Sequence, residues 1–152
     1  MQLPSFPPAD ADFEARVRAS FALQPAMVTI GAILTVVTPG YVEIDLPVSH
    51  KVLQQHGWVH GGVTGMIADS ACGYACYSLM PAGASPSTVE YKINMLAPAK
   101  GVKLIARGMV LKPGRTLFVT RADVLALSAD ARATLVAVMQ ATMFCNREKP
   151  DH

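Results

Sequence analysis

Charge is what this chain has least of. Charged residues fill 16% of its 152 positions, where a folded domain usually carries about 25%. With 51% hydrophobic residues, that deficit excludes intrinsic disorder and a long, solvated charged helix. It also implies that part of the surface is buried against another copy. Neither sign of charge dominates: thirteen basic and eleven acidic residues leave +2, too mild and too dispersed for a nucleic-acid footprint. Cysteine is scarce and odd in number, at positions Cys72, Cys76 and Cys145. The start has neither a basic n-region nor an apolar h-region, so reduced thiols in a cytoplasm are expected. The missing GxSxG elbow speaks against a Ser-His-Asp hydrolase. A chain of this length can still bury roughly 70% of its unfolded surface as one domain.

The chain divides into an N-terminal arm and short helix (1–24), a single domain (25–147) and a tail (148–152). Residues 1–9 are Pro-rich and read as a loose arm. Asp10 or Asp12 caps a helix to about Leu23, with Phe13, Val17 and Phe21 on one face, and Pro25 ends it. Strands are expected at about 27–37 and 41–47, joined by Thr38-Pro39-Gly40-Tyr41, which has type II turn chemistry. In the second, Val42, Ile44 and Leu46 alternate with Tyr41, Glu43 and Asp45. Residues 48–59 read as a loop. The small-residue apolar run at 60–80 reads as a buried helix, and four strands follow at 88–95, 102–111, 115–127 and 133–145. In the first of these four, Val89, Tyr91, Ile93 and Met95 share one face, opposite Thr88, Glu90, Lys92 and Asn94. The last strand is apolar on its odd positions and partly so on its even ones, so both faces want cover. One long helix against a mostly antiparallel sheet of five to six strands is an α+β layer architecture.

One residue does not suit its surroundings. From Val52 to Val89 the only formal charge is Asp69, in mid-helix among Met66, Ile67, Ala68, Ala71 and Gly73. A carboxylate there costs several kcal/mol unless hydrogen-bonded, and its pKa tends to rise. A surface Asp, or a buried one satisfied by Ser70, is the plainer account of it. The same helix begins at His60-Gly61-Gly62, where free N–H groups and a partial positive charge polarise a carbonyl. Glycine allows the close approach. Asp69 lies eight residues on, roughly 12 Å along the axis. One helix cannot bring its own start and its own Asp to one carbon atom, whereas a second copy running antiparallel can.

His56-Gly57-Trp58-Val59-His60-Gly61-Gly62, with Asp69 and Gly73-Tyr74-Ala75 behind it, resembles the HGG…D helix of hotdog-fold acyl-CoA thioesterases. The likeness is to the PaaI-like and 4-hydroxybenzoyl-CoA thioesterase group, and Thr88–Ala99 resembles that family's strand and Pro-Ala turn. The resemblance spans about residues 25–145 and implies hydrolysis of an acyl-CoA by a dimer or dimer of dimers. It implies Asp69 as general base or nucleophile, Gly61 as donor of the oxyanion-holding N–H, and His60 as shaper of that turn. It implies Gln54 as an amide holding the thioester or water, with Gly62, Thr88 and Asn94 in contact with substrate. Where some members carry a hydroxyl four residues after the Asp, this chain has Gly73. CoA is part of the substrate, and neither cofactor nor metal is required.

Remaining signals are read against packing. Cys72-x3-Cys76 and His56-x3-His60 lack the spacing of a structural zinc site, and the cysteines suit an apolar helix as small packing residues. Gly61-x3-Gly65 reads as close packing of the helix on its own sheet rather than a membrane face, because Asp69 would cost about 3 kcal/mol in lipid. Lys112 and Arg115 flank a hairpin turn and are candidates for the CoA phosphates, with Arg147 and Lys149 behind them. A hydratase or dehydratase on the same fold, or a non-catalytic acyl-CoA binder, are the competing functions.

Overall fold

Pro25 and Gly31 decide the first elements. In the computed structural model, which describes residues 5–147, helix α1 (Phe13–Ala22) is followed by a second helix, α2 (Pro25–Ile30), where a strand was expected. Proline at the first helical position forfeits only an N–H that lacks a partner anyway. Gly31, at φ +77°, closes α2 in the left-handed conformation. Strand β1 (Ile33–Thr38) therefore starts well after residue 27. Nor is the Pro-rich start loose throughout, because Phe6 packs against the core. The expected tail at 148–152 lies outside the described residues.

The later elements are β2 (Tyr41–Pro47), a single 3-10 turn (His50–Val52), α3 (Gly61–Tyr77), β3 (Ser85–Met95), β4 (Lys103–Lys112), β5 (Leu117–Leu127) and β6 (Ala133–Asn146). Gly40 takes φ +76°, as the expected turn requires. The strands form one sheet in the order β1-β2-β4-β5-β6-β3, with every neighbouring pair antiparallel. Helix α3 lies across it. This is the α+β hotdog arrangement. Among the described residues no helix is long and apolar enough to cross a membrane.

The core sits between α3 and the sheet. Val42, Ile44 and Leu46 of β2 are fully buried, as their alternation requires, and meet Ile67, Ala68, Ala71, Cys72 and Ala75 of α3 in one cluster. Burial pushes the Cys72 thiol up to about 12, so it packs as a small hydrophobe and offers no thiolate. Helix and sheet backbones come close at Gly108 of β4, where a Cβ would stand 2.2 Å from the carbonyl carbon of Ala71. The small residues Ala106 and Gly108 are, as expected from the sequence, on the strand beneath the helix, and the close contact is at Gly108 rather than at Gly61-x3-Gly65. A Cβ on Gly65 would meet nothing within 4 Å, and one on Gly61 only the Met95 methyl at 3.5 Å.

Two bulges alter the alternation read from sequence. Register slips in β3 between Thr88 and Glu90, so one extra residue, Val89, is left unpaired. Thr88 pairs with Met143, and Tyr91, Ile93 and Met95 pair with Ala141, Met139 and Ala137. Those β6 residues are buried, and paired residues share a face. Thr88 is therefore on the helix side with Tyr91, Ile93 and Met95, not with Glu90, Lys92 and Asn94. A second slip, in the β5–β6 ladder at Val124/Leu125, coincides with the burial of Val136 and the exposure of Leu135. Beyond it the odd positions of β6 are buried as expected.

Candidate active site

Helix α3 begins where the chain is pinned on three sides. The loop before it is closed by a bridge between Leu53 and Val59 and turns at Gly57, with φ +84°, a conformation that favours glycine. Val59 N–H donates to Ala99 O at 3.1 Å and His60 N–H to Val52 O at 2.9 Å. The Pro98-Ala99 turn is thereby held against the helix start. His60 is the N-cap, and its ring Nδ1 accepts from Gly62 N–H at 2.9 Å. One of the free donors of the first turn is thus satisfied by the cap. Gly61 N–H has no acceptor among the described residues, and Gly61 is exposed. It borders a small recess of about 90 Å³ with Trp58, Thr64, Met95 and Pro98. A carbonyl oxygen arriving there finds an oriented N–H and the positive end of a 17-residue helix.

Gln54 stands in the same loop. Its side-chain oxygen accepts from His56 N–H, so the carbonyl end of the amide is engaged in the turn.

Asp69 lies two turns further along α3, half-buried on the side away from the core. Burial raises its pKa above the usual carboxylate value, and the Thr88 hydroxyl, donating to Oδ1 at 2.8 Å, opposes part of that rise. No hydrogen bond reaches Oδ2 from the described residues. That oxygen is available to accept a proton or attack a carbon. Asp69 opens onto a pocket of about 300 Å³ whose other walls include Ser20, Gln24, Gly73, Tyr74 and Met143. Ser20, Leu23 and Gln24 were not among the sequence candidates. They sit at the end of α1 and just beyond it, and no local pattern ties that helix to a carboxylate forty-odd residues later.

The structure brings some candidates together and separates others. Asp69 and Thr88 form one group; His60, Gly61, Gly62 and, close by in the loop, Gln54 form another. Asp69 and Thr88 line one pocket and Gly61 another, with no residue shared between the two. Asn94 belongs to neither, because the β3 bulge leaves it on the opposite face from Thr88, accepting from Lys92 Nζ. Lys112 and Arg115 lie at the β4–β5 turn; Arg115 lines a groove with Phe144 and Arg147. That turn is at the end of the sheet nearer Thr88, since β3 and β5 both approach β6 there. Lys149 lies outside the described residues.

Comparison with known proteins identifies the family. The family model of the thioesterase superfamily matches residues 56–130, which hold the HGG turn, Asp69 and Thr88. A Halobacterium salinarum protein provisionally named an esterase is 32% identical over 138 residues, covering 85% of this chain and 90% of that protein. The crystal structure of a thioesterase family protein from Silicibacter pomeroyi is 43% identical, covers 88% of this chain and 98% of its own, and superimposes with a TM-score of 0.86. The E. coli PaaI protein from the phenylacetic acid degradation operon, 20% identical over 90% of this chain and 94% of its own, shares the fold with a TM-score of 0.77. With this family match and with relatives of 32% and 43% identity that cover most of its length, the chain belongs to the thioesterase superfamily.

Proposed function

We propose that this protein hydrolyses an acyl-CoA thioester to the free acid and CoA, in a site shared by two copies across a two-fold axis. The observation that carries the reading is Asp69: a carboxylate raised by burial, oriented by Thr88, with one oxygen open to a pocket. Gly61 N–H of the other copy holds the thioester oxygen as charge develops on it. Asp69 takes the proton of a water that attacks the carbonyl carbon, the C–S bond breaks, and the proton passes to the departing thiolate. In the variant of this scheme with Asp69 as nucleophile, the same free oxygen attacks first and water then cleaves the anhydride. Single turnover in ¹⁸O-water distinguishes the two. Neither route calls for a cofactor or metal.

Two features support the second copy. Asp69 and Gly61 lie too far apart along one helix to meet at one carbon. Beside them, Met66, Tyr91, Met95 and Leu96 are exposed on or next to the helix side of edge strand β3, an apolar surface rimming an unpaired strand. The CoA phosphates are assigned to Lys112 and Arg115, and the three unpaired thiols suit a cytoplasmic setting. Release of free thiol from a panel of acyl-CoAs tests the function. A chain that binds acyl-CoA without releasing thiol would be a binding module, and one that hydrates an enoyl thioester would be a hydratase.

A further inference from the structure

The loop before α3 carries a stack of side chains that the hydrolysis proposed above does not use. His60 N–H donates to Val52 O at 2.9 Å, Leu53 bridges to Val59, and Gln54 N–H donates to Trp58 O at 2.9 Å, so residues 52–60 form a small hairpin. Its tip is tight, with Gly57 N–H donating to Gln54 O at 3.0 Å. On that tip the His56 ring stacks on Trp58, with centroids 5.3 Å apart and planes inclined by 26°. Lys100, just past the Pro98-Ala99 turn, brings its ammonium to 5.0 Å from the centre of the Trp58 ring. The stack therefore fastens the hairpin tip to the same turn that receives the Val59 N–H. His56 and Lys100 are exposed, and Trp58 is half-buried.

We propose that the Lys100–Trp58–His56 stack positions the Gln54 carboxamide so that its NH2 group donates, beside Gly61 N–H, to the thioester oxygen. The inference rests on the reading of Gly61 as the carbonyl site. A backbone N–H can only donate, so the Gln54 atom that meets His56 N–H is the carbonyl oxygen Oε1. The NH2 end is thereby turned away from that N–H, and it makes no hydrogen bond among the described residues. Gln54 and Trp58 are opposite one another in the hairpin, and paired residues project to the same side. Trp58 lines the Gly61 recess, so the free NH2 is presented on the recess side. The thioester oxygen gains charge as the carbon is attacked, which makes a fixed donor worth more in the transition state than in the bound substrate. Ring stacking and a cation over a ring each act modestly at an exposed site, and together they favour one conformer of the tip. Trp58, His56 and Lys100 are thus positioning residues that act through Gln54.

The test is a double-mutant cycle on kcat and KM with the best substrate from a panel of acyl-CoAs. Lys100→Met is the main variant, because Lys100 is exposed and does not line the recess; Trp58→Leu is the second. Each is expected to lower kcat roughly three- to tenfold with little change in KM, the pattern of an interaction made in the transition state. Lys100→Arg and Trp58→Phe, which keep the cation and the ring, should retain most of kcat. In a Gln54→Ala background Lys100→Met should cost nothing further, since residues acting through one group are not additive. Losses that add in that background, or a kcat that Lys100→Met leaves unchanged, overturn the inference while the hydrolytic reading stands. If the wild type hydrolyses none of the panel, the hydrolytic reading falls instead. The NMR signals of the Gln54 side-chain NH2 then decide the inference. One ordered conformer in wild type that becomes averaged in Lys100→Met upholds the positioning, and signals the same in both overturn it.

Discussion

Asp69 has two properties that the proposed hydrolytic role calls on, and each can be measured. Its Oδ2 is open, so Asp69→Asn keeps the shape and removes the proposed base. Turnover is expected to fall about 10²–10⁴-fold, read as kcat on the best acyl-CoA. The melting temperature tells the same variant's second story. Because burial raises the folded-state pKa, the ionised form is disfavoured on folding. That cost is absent below the ordinary carboxylate pKa and grows as pH rises through the interval up to the raised value. Asp69→Asn should therefore be at least as stable as wild type at neutral pH, with the gain vanishing in acid. Thr88 supplies the opposing influence. In Thr88→Val the hydrogen bond to Oδ1 is lost, and the acid limb of the kcat/KM profile should move to higher pH. A limb that stayed put would remove Thr88 from the carboxylate's environment.

At the scale of elements, the glycines of α3 and β4 play opposite parts. Gly108 is where helix and strand backbones touch, and Gly73 borders open space. Gly108→Ala should cost at least about 3 kcal/mol, since its Cβ would overlap Ala71 backbone atoms that cannot shift cheaply. Gly73→Ala should stabilise by about 1 kcal/mol through helix propensity alone. Denaturant unfolding of the two variants gives the signs directly. Helix α1 is fastened separately. Arg16 donates to the carbonyls of Met80 at 2.7 Å and Pro81 at 3.1 Å, just past the end of α3, pairs with Asp10 at 3.1 Å, and lies over the Tyr77 ring. A cation at a helix C-terminus is well placed. Arg16→Ala is expected to cost about 1.5–3 kcal/mol and to loosen the corner that closes the Asp69 pocket, seen as faster amide exchange in α1 than in α3.

For the whole molecule the decisive question is how many chains make one site. A site built from Asp69 of one copy and Gly61 of the other predicts complementation. Asp69→Asn and Gly61→Val homodimers should each be nearly inactive, the latter through a donor worth about 2.7–4 kcal/mol. Gly61→Val should still fold, because its Cβ meets only the Met95 methyl at ordinary contact distance. Co-refolding the two should restore activity, since each heterodimer holds one site with both groups intact. Co-refolded material no more active than the separate variants would mean that both groups serve from the same chain.

The sequence by itself determined the parts whose signal is local. The β2 alternation, the Pro39-Gly40 turn, the small-residue helix and the lone charge within it depend on residues a few positions apart, and the physics of each acts over that range. Asp69 stood out because its neighbours are apolar, and the helix start because His-Gly-Gly precedes it. Only the tertiary structure decided what depends on register and distant contact. The run at 27–32 reads as strand by its β-branched residues, but the Pro25 and Gly31 brackets make most of it helix. Thr88 reads as a neighbour of Asn94 until the unpaired Val89 resets the phase of β3 and turns its hydroxyl to Asp69. A bulge leaves no mark in a period-2 pattern, because it exists only against a partner strand. The pocket walls from Ser20 and Gln24 were illegible for the same reason: they are set by how α1 lands on the end of α3, a contact between segments about sixty residues apart.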